Sequence, residues 1–149
     1  MRAVVQRVKE ARVTVGETLA GAIGTGLLAF LGAEDGDEAR DAAYIADKIA
    51  GLRVFADADG KMNLSVAEAG GAVLAVSQFT LLGDARKGRR PNFTAAARPE
   101  LAEPLCRACT DRLRALGLRV EEGVFRAEML VDIRNDGPVT LLLDSRKRF

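Results

Sequence analysis

Several short stretches of this chain combine residue types that could do chemistry. In "VSQFTL", residues 76–81, the polar Ser77, Gln78 and Thr80 interrupt the end of the most apolar run in the sequence. A strand terminus presents hydroxyls, an amide and backbone N–H groups to a ligand, although Ser and Thr also end strands for local reasons. A nucleophilic hydroxyl needs a base beside it, and the chain has no histidine. These residues are better suited to bind than to attack. "DARKGRRPNF", residues 84–93, places Arg86, Lys87, Arg89 and Arg90 within five positions, followed by Phe93. Gly88 and Pro91 make it a loop, so its cations can converge on phosphates while the aromatic stacks on a base. A solvated turn is the competing reading.

A third stretch, "NDGPVT", residues 135–140, joins two apolar runs. Asn135-Asp136-Gly137 has hairpin-turn composition, yet Pro138 follows, brings no N–H and weakens any strand it opens. Cys106 and Cys109 form a CxxC, but structural zinc would need two more ligands and a redox pair would open a helix. They lie inside "ELAEPLCRACTDRLRALG", where Leu101, Leu105, Cys109, Leu113 and Leu116 recur at helical spacing. The reading is a pair of reduced cysteines in or beside a packed helix face. Arg146, Lys147 and Arg148 form a second basic cluster, read as a solvated tail. "GAIGTG" matches no phosphate-binding glycine pattern, and "AEDGDE" lacks the spacing of a calcium loop.

The elements that must position these stretches follow from patterning. "RAVVQRVKEARVTV" alternates at several points and predicts a long, bent first strand. "AGAIGTGLLAFLGA" reads as two strands about Gly24-Thr25-Gly26. Asp37 is placed to cap a helix to about Gly51, with Ala42, Ile45, Ala46 and Ile49 on its inner face. "LRVF" resumes strand, and Asp57-Ala58-Asp59-Gly60 turns it. "GAVLAVSQFTLL" predicts a strand buried on both faces. A second helix is expected from Pro99 to Leu116, stopped by Gly117. "LRVEEGVF", "EMLVDIRN" and "VTLLLDS" supply three closing strands. About eight strands and two helices make an α+β domain, a curved, barrel-like, mostly antiparallel sheet with both helices packed on it.

Composition sets the bounds. At 149 residues the chain suits a single domain, 1–149, able to bury roughly two-thirds of its unfolded surface. Twenty-two Lys and Arg against 21 Asp and Glu leave a net charge of +1. Any nucleic-acid affinity must then come from a local patch. No apolar run is long enough to cross a membrane and no signal sequence opens the chain, so no membrane partner and a cytoplasmic location are expected.

Taken together, the motifs resemble a known family, the D-aminoacyl-tRNA deacylases, proofreading enzymes that hydrolyse D-amino acids from tRNA. The resemblance runs from "MRAVVQRV" through "GKMNLSV", "VSQFTL" and "RKGRRP" to "NDGPVTLLLDS". The ordered pair "SQFTL" and "NDGPVT", roughly 60 residues apart, is far more specific than either alone. Three positions depart from the family: a small residue is common where Arg126 stands, threonine is frequent at Ala85, and serine is usual at Asn92.

The resemblance implies a homodimer with active sites at the subunit interface and aminoacyl-tRNA as its partner. Ser77, Gln78, Phe79 and Thr80 would bind substrate, with Phe79 and Thr80 as the catalytic pair. Gly137 and Pro138, joined by a cis peptide bond, would reach in from the other subunit and set chiral selectivity, with Arg7 bracing them. The loop of Arg86, Lys87, Arg89 and Arg90 would bind tRNA. No metal and no organic cofactor are implied. The reaction would cleave the ester of D-aminoacyl-tRNA, and of glycyl-tRNA mischarged on tRNA-Ala, while rejecting L-aminoacyl-tRNA. The tRNA's terminal 2′-hydroxyl would help activate water, so the protein need only position the ester and stabilise the oxyanion. The backbone N–H groups of Phe79 and Thr80 are candidate oxyanion donors, and the Thr80 hydroxyl as nucleophile is the rival. Two other readings stay open: an RNA-binding module without catalysis, and a sister enzyme that cleaves mischarged L-alanine.

Overall fold

In the computed structural model, which describes residues 1–149, the alternating N-terminal segment is one 14-residue strand, β1 (Arg2–Val15). Ala3, Val5, Val8, Ala11 and Val13 are its buried residues. Their spacing changes from two to three around Val8, where the register with the neighbouring strand slips on both sides. Such slips bend a strand and turn its buried face. The first half of β1 therefore pairs antiparallel with β3 (Gly26–Gly32) and the second half with β2 (Thr18–Ile23).

The sheet continues through parallel pairings, β3 with β6 (Ala72–Ser77) and β6 with β7 (Val120–Glu122). β2 comes back against β6 and β7, so the mixed sheet nearly closes into a barrel. One apolar cluster fills the interior, built on Val8, Val13, Leu28, Leu74 and Val76. A larger one lies between the other face of the sheet and the helices, and includes Val5, Leu27, Leu31, Val73 and Ala75. β3 and β6 thus bury alternate residues in two different cores, which is why their sequences read as continuous apolar runs.

Helix α1 (Ala39–Gly51) buries Ala42, Ile45, Ala46 and Ile49, one stripe at i, i+3, i+4 and i+7. Glu38, rather than Asp37, is its cap residue, and the Glu38 N–H donates to Asp41 Oδ2 at 2.9 Å. Asp37 is drawn away by a stronger partner, the N-terminal ammonium at 2.6 Å, and also takes Arg146 at 3.0 Å. Helix α2 (Pro99–Ala115) packs on α1 and covers β3, with Cys109, Thr110 and Leu113 buried. A separate two-stranded ribbon, β4 (Phe55–Ala56) and β5 (Met62–Leu64), is closed by the Asp57–Gly60 turn.

The last two apolar runs do not form a hairpin. They are one strand, β8 (Leu130–Asp144), and both pair antiparallel with the same strand, β1. Gln6 faces Thr140 and Val8 faces Asn135, so Asp136–Val139 stand opposite Arg7 alone. The turn-forming residues make a wide bulge and the chain carries on in its original direction. Asn135 fastens the bulge by donating from Nδ2 to the carbonyls of Arg7, 2.9 Å, and Val139, 3.2 Å. The other edge of β8 is unpaired, with Leu130, Ile133 and Leu142 exposed along the strand.

Candidate active site

"VSQFTL" does not remain strand to its end. β6 stops at Ser77, and Phe79–Leu82 wind into a 3₁₀ turn. The Gln78 N–H still donates to Leu31 O, 2.7 Å, so the turn starts in register with β3. Gly32 permits the close packing that follows: a Cβ there would lie 2.7 Å from Leu82 Cδ2 and 2.9 Å from Gln78 O. Buried Leu82 anchors the turn, and Arg2 Nη1 donates to Leu81 O at 3.0 Å. As the first two residues of the turn, Phe79 and Thr80 have N–H groups with no acceptor inside it. The Gln78 amide Nε2 donates to the Thr80 hydroxyl. No other side chain bonds that hydroxyl, and an amide cannot remove its proton.

A cavity of about 500 Å³ opens beside this turn at the carboxyl ends of β3 and β6, the side of parallel strands on which ligands characteristically bind. Ser77, Gln78, Phe79, Ala102, Phe125 and Met129 are among its lining residues, whereas Thr80, expected to bind substrate with the first three, is exposed and does not line it. The lining is mostly apolar, and Arg126 is its one charged residue. A second cleft of similar volume shares Leu31, Ser77, Cys106 and Phe125 with it. There the charged groups are engaged in ion pairs, Arg114 with Glu122 at 2.6 Å and Asp111 at 3.3 Å, and Arg107 with Glu103 at 3.3 Å. An apolar cavity with a few convergent polar groups fits an organic ligand better than a cleft lined by ion pairs.

Gly137 and Pro138 lie elsewhere. Both are exposed on the β8 bulge, neither lines the cavity, and the peptide bond between them is cis. The bulge is fixed from below by Arg7, whose side chain is 14% exposed. Its Nε donates to Asp136 O at 3.3 Å and lies 3.2 Å from Asp136 Oδ2, while Nη1 donates to Val54 O. Gly137 has φ +117, and a Cβ there would meet Arg7 Nη2 at 2.8 Å. Within one chain, then, the two motifs are separately built and do not meet.

The basic loop is tied at its base by paired backbone hydrogen bonds between Asp84 and Asn92, 2.8 and 3.0 Å. Arg86 folds back on Asp84 as a two-pronged pair, 2.9 and 2.7 Å. That contact and the Arg86 N–H hold the Asp84 carboxyl down at about 2. Lys87, Arg89 and Arg90 project into solvent. Phe93 is engaged with Phe79, ring centroids 5.2 Å apart and planes at 72°, so it buttresses the site wall.

The other candidates are structural. Arg148 bridges Glu34 and Asp144, so the basic tail is tied to the body of the fold. Cys109 is fully buried, and burial pushes its thiol up to about 12 and that of Cys106 to about 11. Ala97, Phe125 and Met129, which build much of the cavity, carried no signal in the sequence beyond being apolar.

A family model described as D-Tyr-tRNA(Tyr) deacylase matches residues 4–144. A D-aminoacyl-tRNA deacylase of Symbiobacterium thermophilum is 62% identical over 149 residues, covering 100% of this chain and 99% of that protein. One from Anaeromyxobacter dehalogenans is 63% identical, with both chains covered in full. Among solved structures, one described as a c-Myc DNA unwinding element binding protein superposes with TM-score 0.91 at 41% identity, covering 97% of this chain and 98% of that one. Another, described as a probable eukaryotic D-amino acid tRNA deacylase, has TM-score 0.80 at 16% identity and shares the fold, covering 96% and 98%. The chain is an enzyme, a hydrolase. It belongs to the D-aminoacyl-tRNA deacylase family.

Proposed function

We propose that this protein hydrolyses the ester bond of D-aminoacyl-tRNA, glycyl-tRNA mischarged on tRNA-Ala included, and acts as a homodimer. One observation carries the reading. The "SQFTL" cavity and the Gly137–Pro138 bulge are each built with care, yet one chain does not bring them together. The bulge stands on a strand whose outer edge is free and flanked by exposed Leu130, Ile133 and Leu142. Pairing across that edge would cover this apolar surface and let each bulge reach the partner's cavity.

In the completed site the terminal adenosine and aminoacyl group occupy the cavity. The carbonyls of Gly137 and Pro138 face the substrate's α-ammonium and crowd the direction in which an L side chain would project. A D side chain points elsewhere and glycine has none, so chirality is read by rejection through main chain. The N–H groups of Phe79 and Thr80 stabilise the oxyanion, and the terminal 2′-hydroxyl assists water. Two facts support this over attack by Thr80: its hydroxyl is bonded to the Gln78 amide, and the chain has no histidine to act as base.

The decisive experiment incubates substoichiometric protein with D-tyrosyl-, L-tyrosyl- and glycyl-tRNA. Multiple turnovers on the D and glycyl esters, with the L ester spared, are expected, along with a dimer by sedimentation. The exposed Lys87, Arg89 and Arg90 support electrostatic binding of the tRNA backbone alongside catalysis. Tight tRNA binding with no turnover on any of the three esters would overturn the proposed substrate.

A further inference from the structure

Arg126 differs from every other residue around the cavity. It is the sole charge in an otherwise neutral, mostly apolar lining. Its backbone is left-handed, φ +63, a conformation that glycine adopts freely and an arginine adopts at a cost. The reason lies in the turn Val124–Ala127, closed by the Ala127 N–H donating to Val124 O at 3.2 Å. Arg126 is the third residue of that turn, and with positive φ at Arg126 but not at Phe125 the turn is of the type II class, whose third position favours glycine. No carboxylate of the chain forms an ion pair with it, and Glu122, which belongs to the other cleft, is held by Arg114 at 2.6 Å. The side chain is exposed at the cavity mouth, while Leu31, Ala33 and Ala102 are buried. The fold thus holds a cation, in a backbone state unfavourable to it, where nothing in the chain compensates it.

We propose that Arg126 is a substrate-binding residue that pairs with an anionic group of the aminoacyl-tRNA, the phosphodiester behind the terminal nucleoside. The inference rests on the reading of this cavity as the aminoacyl-tRNA site. A tRNA enters by its 3′ end, so when the terminal nucleoside fills the apolar interior, the next phosphate lies at the mouth. A guanidinium offers that phosphate a two-pronged, charge-assisted contact. An acidic D-amino acid would present the same chemistry through its side-chain carboxylate, and the test separates the two sources.

Two variants suffice. Arg126→Gly removes the charge and relaxes the backbone, so it should melt at or above the wild-type temperature. Arg126→Lys keeps the charge. With D-tyrosyl-tRNA, Arg126→Gly should raise KM roughly tenfold at nearly unchanged kcat, the effect of losing one charge-assisted contact. It should flatten the slope of log kcat/KM against log salt by about 0.7, one single-strand phosphate contact. Arg126→Lys should recover most of both. A loss confined to D-aspartyl-tRNA, with D-asparaginyl- and D-tyrosyl-tRNA unaffected, would assign the anion to the amino-acid carboxylate. Binding of an uncleavable, amide-linked D-tyrosyl-tRNA is measured in parallel. Wild-type protein that binds this analogue but cleaves no ester overturns the enzymatic reading alone. Arg126→Gly that matches wild type in analogue affinity and on every ester overturns the role given to Arg126, as does Arg126→Lys behaving like Arg126→Gly.

Discussion

Arg7→Ala is the sharpest probe of how the β8 bulge is held. Arg7 bonds the carbonyls of Asp136 and Val54, pairs with the Asp136 carboxylate at 3.2 Å, and packs its Nη2 against Gly137. Alanine removes both donors at once. A hydrogen bond from a charged group contributes about 1.5–3 kcal/mol. Val54 is buried, so its orphaned carbonyl keeps most of that loss, about 2 kcal/mol. The Asp136 side chain is 29% exposed and also meets Lys9 at 3.5 Å, so water and Lys9 limit that loss to about 1 kcal/mol. The sum, about 3 kcal/mol, lowers the melting temperature by roughly 6–12 °C for a domain of this size. At a temperature where the variant stays folded, single-turnover hydrolysis of D- and L-tyrosyl-tRNA reads the function. The loosened bulge should lower the D rate by on the order of a hundredfold, the effect of misplacing a group by an ångström, and shrink the D-to-L ratio. Arg7→Lys, a point charge that cannot hold both carbonyls, should fall between. A folded Arg7→Ala protein with both D rate and D-to-L ratio intact would refute the bracing role.

Other expectations follow from the same geometry. Thr80→Ala should keep substantial hydrolysis in single turnover, because the backbone donors remain, whereas loss of a nucleophile removes many orders of magnitude; a folded variant at background would reverse that assignment. Arg89→Ala with Arg90→Ala should weaken tRNA binding and reduce its salt dependence while leaving single-turnover hydrolysis at saturating enzyme nearly unchanged; an equal salt slope would return the loop to a solvated turn. Glu34 is held low by its hydrogen bond from Arg148; in Asp144 burial opposes, but bonds from Arg148 and the Arg146 N–H win and keep it lowered. Carboxylates lowered in the folded state add stability above their unfolded values, near 4.5 and 3.8, that is lost as pH falls through the folded ones. Denaturation midpoints should therefore drop on acidification below about pH 4, and Arg148→Ala should flatten that drop.

What the sequence determined by itself was whatever depends on periodicity and on residue chemistry. The stripe Ala42, Ile45, Ala46, Ile49 announces a helix face because 3.6-residue spacing has one geometric meaning. The continuous apolar run of β6 announces a strand with two buried faces. The lack of histidine excludes the usual base whatever the fold. Tertiary structure decided everything that turns on where a distant segment lies. "NDG" between apolar runs is locally compatible with reversal or with a bulge, and only the presence of one long β1 alongside both runs makes it a bulge. "SQFTL" reads as strand by propensity, and it winds into a turn because Gly32 lets Leu82 dock beneath it. Asp37 has the chemistry of a helix cap, yet the buried N-terminal ammonium claims it, an attraction between residues far apart along the chain. The cavity is built from Ala97, Phe125 and Met129, ordinary apolar residues whose shared wall exists only once β3, β6 and α2 have packed. Residue type sets what a side chain can do, and packing of remote segments sets which of those things it does.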